Sequence, residues 1–356
     1  MPLSNTLVLA VLAALSLSAC VTRNLNQPGI LHTEFLFERA SFPSVHASTL
    51  IETDSGLVAA WFGGTAEGND DVGIWLSRQV DSEWTASVEI ATGAQSNGSR
   101  YPTWNPVLFA SADDEVSLYF KVGPSPREWW GSVIKSRDDG LSWSSPERLP
   151  HGILGPIKNK PIRLPDGTII SSSSTETNTR PSTWRIHFER STDNGASWNI
   201  VEPAAVSSGS EIHVIQPSIL IHTDGRLQAL GRSRSDYVFQ TWSYDSGLSW
   251  SPVTLTSLPN PSAGTDALTL SDGRHLIVYN HTPDGRSPLN VAVSNDGENW
   301  HAALVLENER GEYSYPAVIQ TSDGLVHITY TWRRDLIKHV VINPNELDLT
   351  PISNWD

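Results

Sequence analysis

Short apolar runs alternate with acidic or Asp-Gly turns along nearly the whole chain, and they do so six times. Six segments step from a polar residue into an apolar run and leave it at a turn. They start at His46 (HASTLIETDSG), Asn105 (NPVLFASADDE), Asn159 (NKPIRLPDG), Gln216 (QPSILIHTDG), Asp266 (DALTLSDG) and Tyr315 (YPAVIQTSDG). A second apolar run follows each turn: LVAAWF, VSLYFKV, TIISSSS, LQALGRS, HLIVYNH and LVHITYTW. Runs of this length, rich in β-branched and aromatic residues and bounded by turn formers, predict strands joined as hairpins. Helical periodicity is weak throughout.

A second pattern falls on a third hairpin. Ser136-Arg-Asp138-Asp-Gly140-Leu-Ser-Trp143, Ser191-Thr-Asp193-Asn-Gly195-Ala-Ser-Trp198 and Ser243-Tyr-Asp245-Ser-Gly247-Leu-Ser-Trp250 spell nearly the same sequence. Ser294-Asn-Asp296-Gly297-Glu-Asn-Trp300 is one residue shorter, and Ser77 to Trp84 keeps only the spacing. Asp and Gly make the tight turn, and the closing Trp gives it something to pack under. A period of about 50 to 60 residues is the mark of a propeller or solenoid. The strand pairs give six units, and a box or its remnant follows in five of them, the sixth having none; this spacing stands against a flat β-sandwich whose repeats would be accidental. The stretch near Ile30 to Phe37 is expected to supply the strand that closes the ring, since radial repetition protects sheet edges.

No linker or composition break interrupts the repeats, so residues 30–356 are expected to form one domain. Residues 1–19 have a different character. Leu7 to Leu17 is an apolar run too short to span a bilayer, followed by Leu17-Ser18-Ala19-Cys20. It resembles a bacterial lipobox, which implies acylation of Cys20 and a short tether over residues 20–29. Cys20 is the one cysteine, so no internal disulfide forms. The expected address is the bacterial cell envelope, on a membrane that the protein touches only through its lipid anchor. With 24 basic and 39 acidic residues the net charge is −15, which argues against nucleic acid as a partner.

Alternating strand directions bring the start of each first strand and the end of each second to the same end of a blade. The first-strand starts are His46, Asn105, Asn159 with Lys160, Gln216, Asp266 and Tyr315. The second-strand ends add Trp61 and Glu67, Lys121, Glu176, Arg232 with Arg234, Asn280 with His281, and Trp332 with Arg333. A closed ring is expected to turn these side chains toward one pocket.

With these motifs in place, the chain resembles the sialidase superfamily. The Ser-to-Trp segments are similar to that family's Asp-box (BNR) repeats, and the resemblance covers essentially everything after the leader. It implies an all-β, six-bladed β-propeller with Asp-box hairpins. It also implies three arginines around a sialic acid carboxylate, a role that suits the bidentate guanidinium. Arg232, with Arg234 beside it, matches the second of these and Arg286 the third, while His46 stands where the first would be. Tyr315 matches the nucleophile by its distance to Asp323-Gly324. Gln216 occupies the place of the activating Glu, and for the acid the chain offers Glu67, Asp70 and Asp71. Asn105, Lys160, Gln216, Arg234, Asp266 and Trp61 are the expected substrate contacts.

A phenol has a pKa of about 10 and needs a nearby base to attack at neutral pH, which a neutral Gln does not provide. The function expected is therefore an exported, sialidase-like glycosidase for a carboxylate-bearing sugar, with two alternatives. One is a uronate lyase, acting for example on a rhamnosyl-glucuronate linkage, with His46 as base and Tyr315 as proton donor. The site logic of some β-propeller polysaccharide lyases is similar. The other is a lipoprotein that only binds glycan. The partner in each case is an acidic oligosaccharide or glycoconjugate, met by a monomer. His281, His327 and His339 lack metal-ligand spacing, and no phosphate loop points to a nucleotide, so no metal or cofactor is expected.

Overall fold

The structure, a computed structural model, describes residues 27–110, 115–207 and 209–355. The leader, Cys20 and most of the expected tether lie outside them. Among the described residues strands dominate, and one 3-10 turn, Ile352–Trp355, is the single helical element. The strands form six antiparallel sheets arranged as a six-bladed β-propeller.

Each blade begins with an inner strand: Ser44–Thr53, Thr103–Ala110, Ile162–Arg163, Val214–Ile221, Asp266–Thr269 and Tyr313–Gln320 in blades 1 to 6. In the last blade, Ile30–Phe35 pairs with Leu336–Ile342 as the outermost strand, so the chain's first strand closes the ring. The side-chain amide of Gln27 donates to the Val305 carbonyl at 2.8 Å and accepts from Val305 N at 2.9 Å. Gln27, expected in the tether, thus docks on the fifth blade, and Gly29 O accepts from Asn343 N at 2.8 Å.

Four inner strands carry the same irregularity near their starts. Pairing slips between His46 and Thr49, Trp104 and Val107, Ile215 and Ser218, and Ser314 and Ala317. The residue just inside each slip has positive φ: Ala47 (53°), Asn105 (42°), Gln216 (58°) and Tyr315 (51°). These are β-bulges, which bend a strand and re-aim a side chain. Proline follows Asn105, Gln216 and Tyr315, as suits a position whose N–H leaves the ladder.

The Ser-to-Trp hairpins lie at the opposite end of the blades. In the first, Asp138 Oδ1 accepts from Ser136 Oγ at 2.8 Å and Ser142 N at 2.9 Å, and Gly140 turns at φ +80°. The copies at Asp193, Asp245 and Asp296 repeat the Ser-to-Asp bond. Three of the boxes also pack on the preceding blade, that of Gly297 lying near Gln228. Gly140 lies near Val58, Gly247 near Ile170, and Trp250 stacks on Phe188 with ring centroids 3.8 Å apart. These boxes are therefore joints between blades, away from the pocket end.

Candidate active site

Tyr315 stands at the centre of the pocket end, lifted there by the bulge of blade 6. Its phenol oxygen accepts from Arg232 Nη1 at 3.0 Å and lies 3.4 Å from Gln216 Nε2, both from blade 4. The Arg286 guanidinium, from the loop of blade 5, sits 5.7 Å from the ring centroid. The His46 ring of blade 1 lies 4.2 Å from the Tyr315 ring, between centroids. Tyr315, Arg232, Arg286, Gln216 and His46 thus come together from four blades.

A further guanidinium joins them. Arg334 follows the second strand of blade 6, Val326–Trp332, and its backbone carbonyl accepts from Val45 N at 2.8 Å, so it sits beside the start of blade 1. Its side chain donates to Glu67 Oε2 at 2.6 Å and Glu312 Oε1 at 2.7 Å. Glu312 Oε1 is also 3.5 Å from Arg286 Nη1. Glu67, Arg334, Glu312 and Arg286 form a continuous charged chain along the rim. The sequence reading missed Arg334 and Glu312, since each earns its place through tertiary ion pairs. The Arg-Arg doublet at the end of the last second strand was the available signal.

His46 is 1% exposed. It is wedged between Tyr315 and Phe62, with Nδ1 3.0 Å from Thr331 Oγ1, an oxygen that also accepts from Ala47 N. Burial holds its pKa well below the usual range, and the charges of Arg334, Arg286, Lys158 and Arg232 push the same way. The imidazole is neutral at pH 7. If Nδ1 carries the proton and donates to Thr331, Nε2 keeps the lone pair a base needs. Burial also lowers the pKa of Arg286.

Other expected contacts lie elsewhere. Trp61 is fully buried and packs on Phe37 at 5.1 Å, because strand alternation sends it to the face opposite Phe62. Lys160 and Asp266 line a cavity of about 450 Å³ further along the channel, with Ser218 and Val318. Asp266 accepts from Ser218 Oγ at 2.7 Å and Val318 N at 2.9 Å, bracing blades 4, 5 and 6, and Lys160 Nζ is 3.8 Å from it. Arg234 lies 3.8 Å over the Trp184 ring and donates to Ser182 O, which makes it a strap on the pocket wall. Asn105 occupies the blade 2 bulge at 6% exposure. In blade 1 the bulge residue is Ala47, so His46 reaches Tyr315 from one position earlier. Lys121, Glu176 and Asn280 bond to Pro156 O, Trp184 Nε1 and Tyr313 O. Among the described residues, no group of three or more His, Cys, Asp or Glu could hold a metal ion.

The fold and this cluster define a six-bladed propeller with Asp-box hairpins and a polar cluster at one end of the ring. The family model for the BNR repeat-like domain matches residues 55–328, and the chain belongs to that family. No curated protein matches the chain. Among solved structures, a Dyadobacter fermentans protein of unknown function is 17% identical, with TM-score 0.73 over 91% of this chain and 100% of that one. The Hadza microbial sialidase Hz136 is 17% identical, with TM-score 0.71 over 85% of this chain and 66% of its own. The intramolecular trans-sialidase of Ruminococcus gnavus, solved with oseltamivir carboxylate, is 14% identical, with TM-score 0.67 over 86% and 96%. At these identities the likeness is one of fold.

Proposed function

We propose that the protein is an exported enzyme that cleaves a glycosidic linkage to a carboxylate-bearing sugar, as an exo-sialidase does. The observation that carries this is the pair of guanidinium groups around Tyr315. Arg232 contacts Tyr315 and Ser262 Oγ but no carboxylate among the described residues. Arg286 Nη1 is buried and makes no hydrogen bond, its contact with Glu312 being a longer ion pair at 3.5 Å. A buried donor without a hydrogen bond is costly, and a ligand carboxylate bridging Arg232 and Arg286 would supply one. The protein's overall negative charge makes this inward cluster of cations the more specific.

In this reading Tyr315 Oη adds to the anomeric carbon as the bond to the leaving sugar's oxygen breaks. The phenol proton passes to a base, and neutral His46 beside the ring is one. Glu67, on the rim, parts from Arg334, takes up a proton from solvent and gives it to the leaving oxygen. Water then adds to the anomeric carbon and gives a proton to Glu67, while His46 returns the first proton to Tyr315 as the sugar is released. The test is cleavage of a panel of sialosides and glucuronate-capped oligosaccharides, with Tyr315→Phe as the inactive control. Cleavage retained by that variant overturns the reading.

A uronate lyase is the second reading, and one observation favours it: Gln216 cannot accept the phenol proton, whereas His46 is neutral and able to take a proton next to a carboxylate. The 1% exposure of His46 behind Tyr315 ranks it second. Unsaturated uronate among the products would favour the lyase. For export, acylation at Cys20 is tested by mass spectrometry of the mature N-terminus; an unmodified or uncleaved Cys20 overturns it.

A further inference from the structure

Lys158 is 2% exposed, yet it lies at the centre of the ring. Its ammonium donates to Asn159 Oδ1 at 2.8 Å, to the Thr265 carbonyl at 2.6 Å and to the Pro316 carbonyl at 2.6 Å. All three protons are used, and the acceptors come from blades 3, 5 and 6. Pro316 is the residue after Tyr315, so this bond holds the bulge that carries the phenol. The neighbouring Asn159 donates from Nδ2 to the Gln216 carbonyl at 2.9 Å, which holds the other bulge. Two consecutive residues therefore grip both backbones whose side chains meet at the phenol oxygen.

Two further features point the same way. Tyr315 and Gln216 keep positive φ, a state that persists only where the surroundings over-determine it. Gly264 leaves room for the lysine under the ring. A Cβ there would stand 2.9 Å from Lys158 Cε and 3.2 Å from Tyr315 Cδ2. Nζ is 5.8 Å from the Tyr315 ring centroid. A buried ammonium is an expensive way to join blades that apolar contacts could join.

We infer that Lys158 and Asn159 form a clamp that positions Tyr315 and Gln216 for the reaction, which rests on Tyr315 being the reacting group. Lys158 is a positioning residue, since its ammonium is buried and all three of its protons go to acceptors of the protein itself. The charged and titratable groups facing it are Lys160 from blade 3, Arg232 from blade 4, Asp266 from blade 5, Tyr315 from blade 6 and His46 from blade 1. Burial brings its pKa down to about 7, Asp266 opposes that shift, and Lys160 and Arg232 add to it. Raising the pH through that value removes the cation from the Pro316 carbonyl.

The test uses the full chain with ring-labelled tyrosine, the Tyr315 resonance being assigned with Tyr315→Phe. Lys158→Met, Asn159→Leu and Gly264→Ala are compared with the parent. The Tyr315 resonance is expected to move in all three, and to show a step near pH 7 in the parent that Lys158→Met lacks. On a glycoside the parent cleaves, Lys158→Met should lose about 100-fold in kcat, the cost of a small misplacement. Its KM should stay within about threefold, because the arginines that bind substrate are untouched. A folded Lys158→Met with the parent's Tyr315 resonance and pH response overturns the clamp. If that variant does not fold, Gly264→Ala decides, since it keeps the lysine, and an unmoved Tyr315 resonance there overturns the clamp. Should no glycoside be cleaved, the proposed function fails while the resonances still decide the clamp.

Discussion

Arg232 Nη1 donates to Tyr315 Oη at 3.0 Å, joining the second strand of blade 4 to the bulge of blade 6. The bond points a cation and a phenol at one spot, where a substrate would present its carboxylate beside its reacting carbon. Arg232→Ala and Arg286→Ala are each expected to weaken binding of a carboxylated sugar by about 10- to 100-fold, as charged hydrogen bonds of about 1.5–3 kcal/mol imply. Titration calorimetry with the free sugar measures this. Neutral sugars should bind the variants and the parent alike.

Arg334 lies between Glu67 and Glu312. Arg334→Ala leaves these carboxylates at the rim without their shared cation. Affinity for an acidic ligand should drop by about tenfold or more, and added salt should partly restore it by screening. Glu67→Gln should have the opposite effect on binding, because it frees the guanidinium. Equal affinities in both variants would remove Arg334 from the ligand field.

Because His46 is held far below the usual histidine range, it should contribute no acid limb to the rate near pH 6.5. The clamp at Lys158 contributes on the other side, its cation being lost as pH rises through about 7. A rate profile from pH 5 to 9 checks both. An activity that switches on near pH 6.5 and vanishes in His46→Gln would mean that the imidazole is not buried as described.

Stability should fall on the acid side. His275 and His327 are held down to a pKa of about 4 by burial, then by the neighbouring imidazoles of His222 and His339. The unfolded chain protonates them below about pH 6.5, while the native state does not until about pH 4. Their stabilising effect is thus complete above pH 6.5 and lost as pH falls toward 4. Each is worth about 1–2 kcal/mol once partial solvent screening is allowed for. Melting temperatures across that range should fall less steeply in His275→Gln or His327→Gln than in the parent.

Trp250 is 3% exposed and stacks on Phe188 of the preceding blade. Trp250→Ala should cost about 3–5 kcal/mol, the usual price of emptying a large aromatic site. Denaturant titration reads this directly. Activity at low temperature should survive, because the box lies at the end away from Tyr315.

The blades, the boxes and the closing strand were legible because their chemistry is local. An Asp and a Gly a few residues apart fold their own hairpin whatever surrounds it. Tyr315, Gln216 and Asn105 stand at polar starts of apolar runs at a regular distance before their turns, and in the structure each is a bulge residue followed by proline. Lys160 and Asp266 are also polar residues at the starts of apolar runs, but each lies two positions beyond the place in its blade that corresponds to Gln216. Asp266 is in register with Ser218 and Thr49, as the bonds from Ala267 N to Ser218 Oγ and from Leu108 N to Thr49 Oγ1 show. Trp61 missed the pocket by one step of alternation. Arg334 and Lys158 were not legible, since one depends on ion pairs between distant segments and the other on carbonyls from three blades.

The most direct test of the central claim is to incubate the purified protein, Arg232→Ala and Arg286→Ala with matched glycosides that differ only in whether the terminal sugar carries a carboxylate. Released sugar and unsaturated uronate are followed together. The account predicts that the parent releases the intact carboxylated sugar, leaves the neutral analogue uncut, and loses that activity in both variants. Equal cleavage of neutral and acidic glycosides, or full activity in both arginine variants, would contradict it.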